Sequence, residues 1–221
     1  MGKFNEQNNF IYLTSALLVL LLALPLLSMF NQGPVEWVTR ALVIATLLVT
    51  YLSLDFGRWW GRFVLLALFL LVATSIAHLV YPKYSASSAH LVLLIIFFGS
   101  VAYSAGRRVL LRGEIDRNRI IGSIAVYLLL GLIWTMLYLL LLEFEPTAIQ
   151  GVEYQSWEDS FNNVAYFSFV TLTTLGYGDV TPAHPTSSAL AYLQAISGAF
   201  YMSVVVASLV GARKPGERTG G

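Results

Sequence analysis

The chain has 221 residues, 57% of them hydrophobic and only 11% charged, with a mean hydropathy of +0.71. Soluble domains hold about 45–50% apolar and about 25% charged residues, so this composition excludes an ordinary soluble protein. The formal charge of +1 argues against nucleic acid as a partner, and the absence of cysteine excludes disulfides, thiol catalysis and Cys-ligated metal. What remains is an all-α polytopic membrane protein.

Six stretches reach or approach the roughly 17–25 apolar residues that a spanning helix needs. They are Phe10 to Phe30, Trp37 to Leu54, Phe63 to Tyr81, Leu91 to Gly106, Ile120 to Leu142 and Ser187 to Ala212. The first contains Pro25, which membrane helices tolerate. Its apolar run exceeds a signal peptide's core of about 7–15 residues, so it reads as an uncleaved anchor.

Charge gives an independent test. With both termini inside and six crossings, the inner side holds Lys3, Arg58, Arg62, Arg107, Arg108, Arg112, Arg117, Arg119, Arg213, Lys214 and Arg218. Only Arg40 and Lys83 fall outside, the asymmetry of the positive-inside rule. Pro34, Pro82, Pro146, Pro182 and Pro185 are then expected in the outer connections, where a missing backbone donor costs little.

Between the fifth and sixth spans the pattern changes. Glu143 to Asp159 is polar and acidic, and Ser156 with Asp159 three residues later has the form of a helix N-terminal capping box. Ser160 to Thr173 carries Phe161, Val164, Ala165, Phe169 and Leu172 at helical spacings. Such a helix is about 21 Å long at 1.5 Å per residue, too short to span. It leads directly into Thr174, Leu175, Gly176, Tyr177, Gly178 and Asp179. A short helix that dips in and returns through extended backbone is allowed only inside protein or beside a watery cavity.

This segment resembles the selectivity-filter signature of potassium channels, and its surroundings resemble a prokaryotic six-transmembrane, one-pore member of that family. The likeness is strong from about Ile120 to Ala212 and only architectural before it. It implies a homotetrameric pore in which Thr174, Leu175, Gly176, Tyr177 and Gly178 coordinate K+ through backbone carbonyls, with the Thr174 hydroxyl added. Gly176 and Gly178 supply the left-handed backbone that lets successive carbonyls face one axis. Leu175 and Tyr177 are expected to pack against the short helix, and Asp179 to stand at the outer mouth. Leu175 replaces the family's commoner valine. Tyr166 and Phe167 stand where many relatives have tryptophans bracing the filter, and Tyr166 suits a hydrogen bond to Asp179 or simple aromatic packing equally. Gly198 resembles the hinge glycine of the inner helix, and glycine there suits a tight helix contact equally.

The implied organisation is a four-helix scaffold over residues 1–106, a cytoplasmic linker over 107–119, a pore domain over 120–212 and a short cytoplasmic tail over 213–221. The expected partners are potassium ions, membrane lipids and identical subunits, in a multi-pass plasma-membrane protein with K+ as permeant ion and no cofactor. Glu143, Glu145, Glu153, Glu158 and Asp159 read as solvated outer acids, and His78, His90 and His184 as too scattered for a metal site. The span cores hold almost no ionisable groups, against an enzyme. Only one interrupted segment appears, against a transporter built of inverted repeats. Leu91 to Gly106 contains no Lys or Arg, so the fourth helix lacks the charges of a voltage sensor.

Overall fold

Apolar runs separated by polar breaks can satisfy their backbone donors in a bilayer as helices. The structure, a computed structural model, describes residues 9–28, 33–53, 58–80, 87–111 and 117–211. In chain order these form α1 (Asn9–Ser28), α2 (Gly33–Ser53), α3 (Arg58–Val80), α4 (Ser87–Leu111) and α5 (Arg117–Phe144). There follow β1 (Ile149–Gln150), α6 (Trp157–Leu172), β2 (Thr181–Pro182) and α7 (Pro185–Gly211). Among the described residues, α1, α3, α4, α5 and α7 are long and apolar enough to cross a membrane, whereas α2 offers the shorter apolar run Ala41–Ser53.

The centre of the arrangement is α5. Helices α1 and α4 pack on it, α2 packs on α1 and α3 on α4, while α6 and α7 join it further along the chain. Leu13 and Leu17 of α1, Phe97 and Val101 of α4, and Leu129, Leu132 and Leu139 of α5 are all fully buried in one core. Gly122 lets α5 approach both neighbours: a Cβ there would lie 2.9 Å from the Phe10 ring and from Val109. Thr14 adds a hydrogen bond to the Ile121 carbonyl at 3.1 Å, seating α1 on α5.

Several boundaries differ from the sequence expectation. Pro34 and Pro185 stand in the first turns of α2 and α7 rather than in connections, since a first turn needs no amide donor there. Helix α4 runs on past Gly106 to Leu111 and α5 begins at Arg117, so the described part of the 107–119 linker is helical. Glu143 lies in the last turn of α5 rather than in a solvated loop, and it accepts a hydrogen bond from the Tyr154 hydroxyl. Burial, with that carboxylate beside it, pushes the Tyr154 phenol above its ordinary pKa. Phe30, Leu54, Tyr81 and Ala212, ends of expected spans, and the tail 213–221 lie outside the described residues.

Candidate functional site

The short helix α6 begins as its sequence predicts. Ser156 has extended backbone (φ −146°, ψ 164°) and its side chain accepts from the Asp159 amide at 3.1 Å, closing one of the helix's free donors. Its hydroxyl donates to the Asp159 carboxylate at 2.7 Å, and Glu158 and Asp159 in the first turn complement the positive end of the helix dipole. Phe161, Val164, Ala165, Phe167 and Ser168 are buried, which seats the helix on α5. The approach at Gly131 is close, because a Cβ there would fall 2.4 Å from the Phe169 ring.

The helix ends in a Schellman-type turn made with an unusual residue. The Thr174 amide donates to the Thr171 carbonyl at 3.0 Å, and the Leu175 amide to the Val170 carbonyl at 3.0 Å. That pattern requires a left-handed residue just past the cap, usually glycine. Here it is Thr174, with φ +58°. A β-branched residue in that region is a strained outlier, of the kind that clusters at functional sites.

Left-handed backbone then recurs at every second residue. Gly176 has φ +58° and Gly178 φ +82°, and Thr174 is the one non-glycine residue with positive φ among those described. Nothing lies within 4 Å of a Cβ placed on Gly176 or Gly178, so dihedral preference rather than space calls for glycine there.

Both ends of this loop are tied down. The Tyr166 hydroxyl donates to the Asp179 carboxylate at 2.7 Å, pinning the loop's exit to α6, and that bond raises the Tyr166 phenol above its ordinary pKa. Beyond it, β2 pairs antiparallel with β1, matching Ile149 with Pro182 and Gln150 with Thr181. The Ala183 amide donates to the Ala148 carbonyl at 2.9 Å, and the buried Ser187 hydroxyl to the same carbonyl at 2.6 Å. At the entry, the Tyr127 hydroxyl of α5 donates to the Leu172 carbonyl at 3.2 Å. Gly198 of α7 presses against that carbonyl too: a Cβ there would lie 2.1 Å from the oxygen.

The elements that frame the loop are therefore two helices of spanning length, one short capped helix and a two-stranded clasp. Residues 123–212 match the ion channel family. Comparisons with curated proteins and with solved structures give no match. The family match supports an ion channel, and the apolar helices agree with a membrane protein.

Within the matched ion-channel segment, the expected site residues take distinct places. Thr174, Leu175, Gly176, Tyr177 and Gly178 form the loop, and Tyr166 holds Asp179 beside it. Phe167 is buried and meets the Tyr138 ring edge-on at 4.9 Å, so it fastens α6 to α5. Gly198 lies inside the unbroken α7 at a tight contact with the end of α6. Leu175 and Tyr177 depart from expectation: they are 55% and 68% exposed in the single chain rather than packed on α6. Among the described residues no group of His, Asp and Glu could hold a metal ion. His90 instead lies 2.9 Å from the Thr74 hydroxyl and stacks on Trp157 at 5.1 Å. Sequence reasoning missed Tyr127 and Gln194. Gln194 carried a signal, as the single amide side chain between Ser187 and Ala212.

Proposed function

We propose that the protein is a potassium-selective channel that passes K+ down its gradient through the loop Thr174–Gly178. The observation that carries this reading is the left-handed backbone at every second residue, Thr174, Gly176 and Gly178, at the end of a short capped helix. Alternating handedness presents a ladder of carbonyl oxygens, which can replace the hydration shell of a potassium ion. One chain supplies one side of such a ladder, so the reading requires four copies around an axis, a homotetramer with closed cyclic symmetry. The exposure of Leu175 and Tyr177, and of Tyr192, Ile196 and Phe200 along α7, supports this, since neighbouring subunits would cover such side chains. The carbonyl end of α6 would then point its partial negative charge at the cation path.

In this reading α2 is a sixth span, both termini are cytoplasmic and the protein resides in the plasma membrane among lipids. K+ is cargo rather than cofactor. Asp179, at the outer mouth, helps concentrate cations. Purified protein in liposomes should release trapped potassium passively and without a coupling ion. Flux that demands a proton or sodium gradient would indicate a transporter instead, and no flux at all a non-conducting subunit.

A further inference from the structure

The short helix is joined to α7 by hydrogen bonds buried in the protein. Gln194 is fully buried. Its side-chain NH2 donates to the Ser168 carbonyl and to the Ser168 hydroxyl, each at 2.8 Å. Its side-chain oxygen accepts from the Tyr138 hydroxyl at 2.8 Å. The Ser168 hydroxyl in turn donates a hydrogen bond to the Gly131 carbonyl at 2.8 Å, where the Thr135 hydroxyl also donates at 2.8 Å. Tyr138, Ser168 and Thr135 are fully buried as well. Three helices thus meet at one amide whose two donors and acceptor are all engaged.

A leucine would fill such a position with no polar atom to satisfy, so packing alone does not require glutamine. Polar groups inside membrane segments are costly and mark function. The bonds also define a direction. Gln194 and Gly198 are one helical turn apart on α7, and the groups they touch, Ser168 and Leu172, are one turn apart on α6. Two contacts in step fix both the height and the rotation of one helix against the other. Leu172 is followed by the cap residue Thr173 and then by the strained Thr174. Any slide or turn of α7 at this level must carry the end of α6 with it or break buried hydrogen bonds.

We propose that Gln194 is a positioning residue that makes the shape of the Thr174–Gly178 loop depend on the placement of α7. The claim rests on the reading of that loop as the ion path. Gln194 touches no ion; it acts through Ser168 and the end of α6. Ions bound to the loop stabilise the conducting shape, so potassium should oppose the loss of Gln194 by mass action.

Single-channel recording in planar bilayers tests this with Gln194→Leu and Tyr138→Phe. Gln194→Leu is expected to shorten the conducting dwell about tenfold, the effect of losing hydrogen bonds whose partners stay buried. The defect should shrink as potassium is raised; loss of folded protein would instead lower the number of channels and leave the dwell of each unchanged. Tyr138→Phe spares the Ser168 bonds and should act in the same direction by about threefold. If Gln194→Leu does not assemble, Tyr138→Phe alone carries the test. Dwell times and potassium dependence equal to wild type in an assembled variant would overturn the proposal. Amide exchange at residues 169–175 separates this claim from the channel reading. If the wild type conducts no potassium but exchange there rises in the variants, the positioning role stands and the ion path falls. Unchanged exchange in assembled variants defeats the positioning role.

Discussion

Thr174 does two things that pull against each other. It sits where a helix C-terminus wants glycine, and it brings a hydroxyl that glycine lacks. The left-handed conformation costs a non-glycine residue about 1–3 kcal/mol. Thr174→Gly should therefore keep the turn made by the Thr174 and Leu175 amides and make the loop more resistant to heat. If the Thr174 hydroxyl is the innermost ligand of the proposed ion path, the variant should nevertheless lose potassium preference. Thermal unfolding in detergent beside reversal potentials checks both; a variant less stable than wild type would mean that Thr174 is not strained. Gly178→Ala is the opposite case. Space is open around Gly178, so alanine should fold into the bundle yet lose about 1–2 kcal/mol in the left-handed shape. Selectivity should fall while the assembled mass is unchanged, as read by reversal potentials and by mass measurement in mild detergent.

At the scale of the element, α6 is held from two sides by contacts that a sequence shows unequally. Its start was legible: Ser156 and Asp159 form the cap that their spacing predicts. So was the glycine pattern of the loop, because residue type and required dihedral coincide at Gly176 and Gly178. Its attachment to α7 was not legible, since Gly198 suits a hinge or a close contact equally and only three-dimensional packing puts Leu172 against it. The same holds for Leu175 and Tyr177, whose exposure is set by how the loop folds rather than by residue type. Gly198→Ala tests the contact. Its methyl would stand 2.1 Å from the Leu172 oxygen, and overpacking of this kind costs typically about 1–3 kcal/mol. The variant should melt at lower temperature than wild type and exchange the amides of Thr173 to Leu175 faster. Equal melting and equal exchange would show that α7 yields freely at this point.

For the whole molecule, α1 to α4 resemble a voltage-sensing domain in number but not in charge. Helix α4 carries Arg107 and Arg108 only in its last turns, and the Arg107 guanidinium lies over the Tyr103 ring at 5.8 Å. Arg62 at the start of α3 sits similarly over Trp59 at 5.6 Å. Cations held at helix ends beside aromatic rings have little membrane field to cross. Helices α1 and α4 pack on α5, with α2 on α1 and α3 on α4; if they serve as a scaffold, activation in symmetrical potassium should not be steep with voltage. A gating charge above about 4 elementary charges per channel, against the roughly 12–16 of four full sensors, would refute the scaffold role. The central claim is selectivity itself, and a bi-ionic recording tests it most directly. With potassium on one side of the bilayer and sodium on the other, wild-type current should reverse far toward the potassium equilibrium potential. Reversal near zero, with conductance intact, would contradict the account.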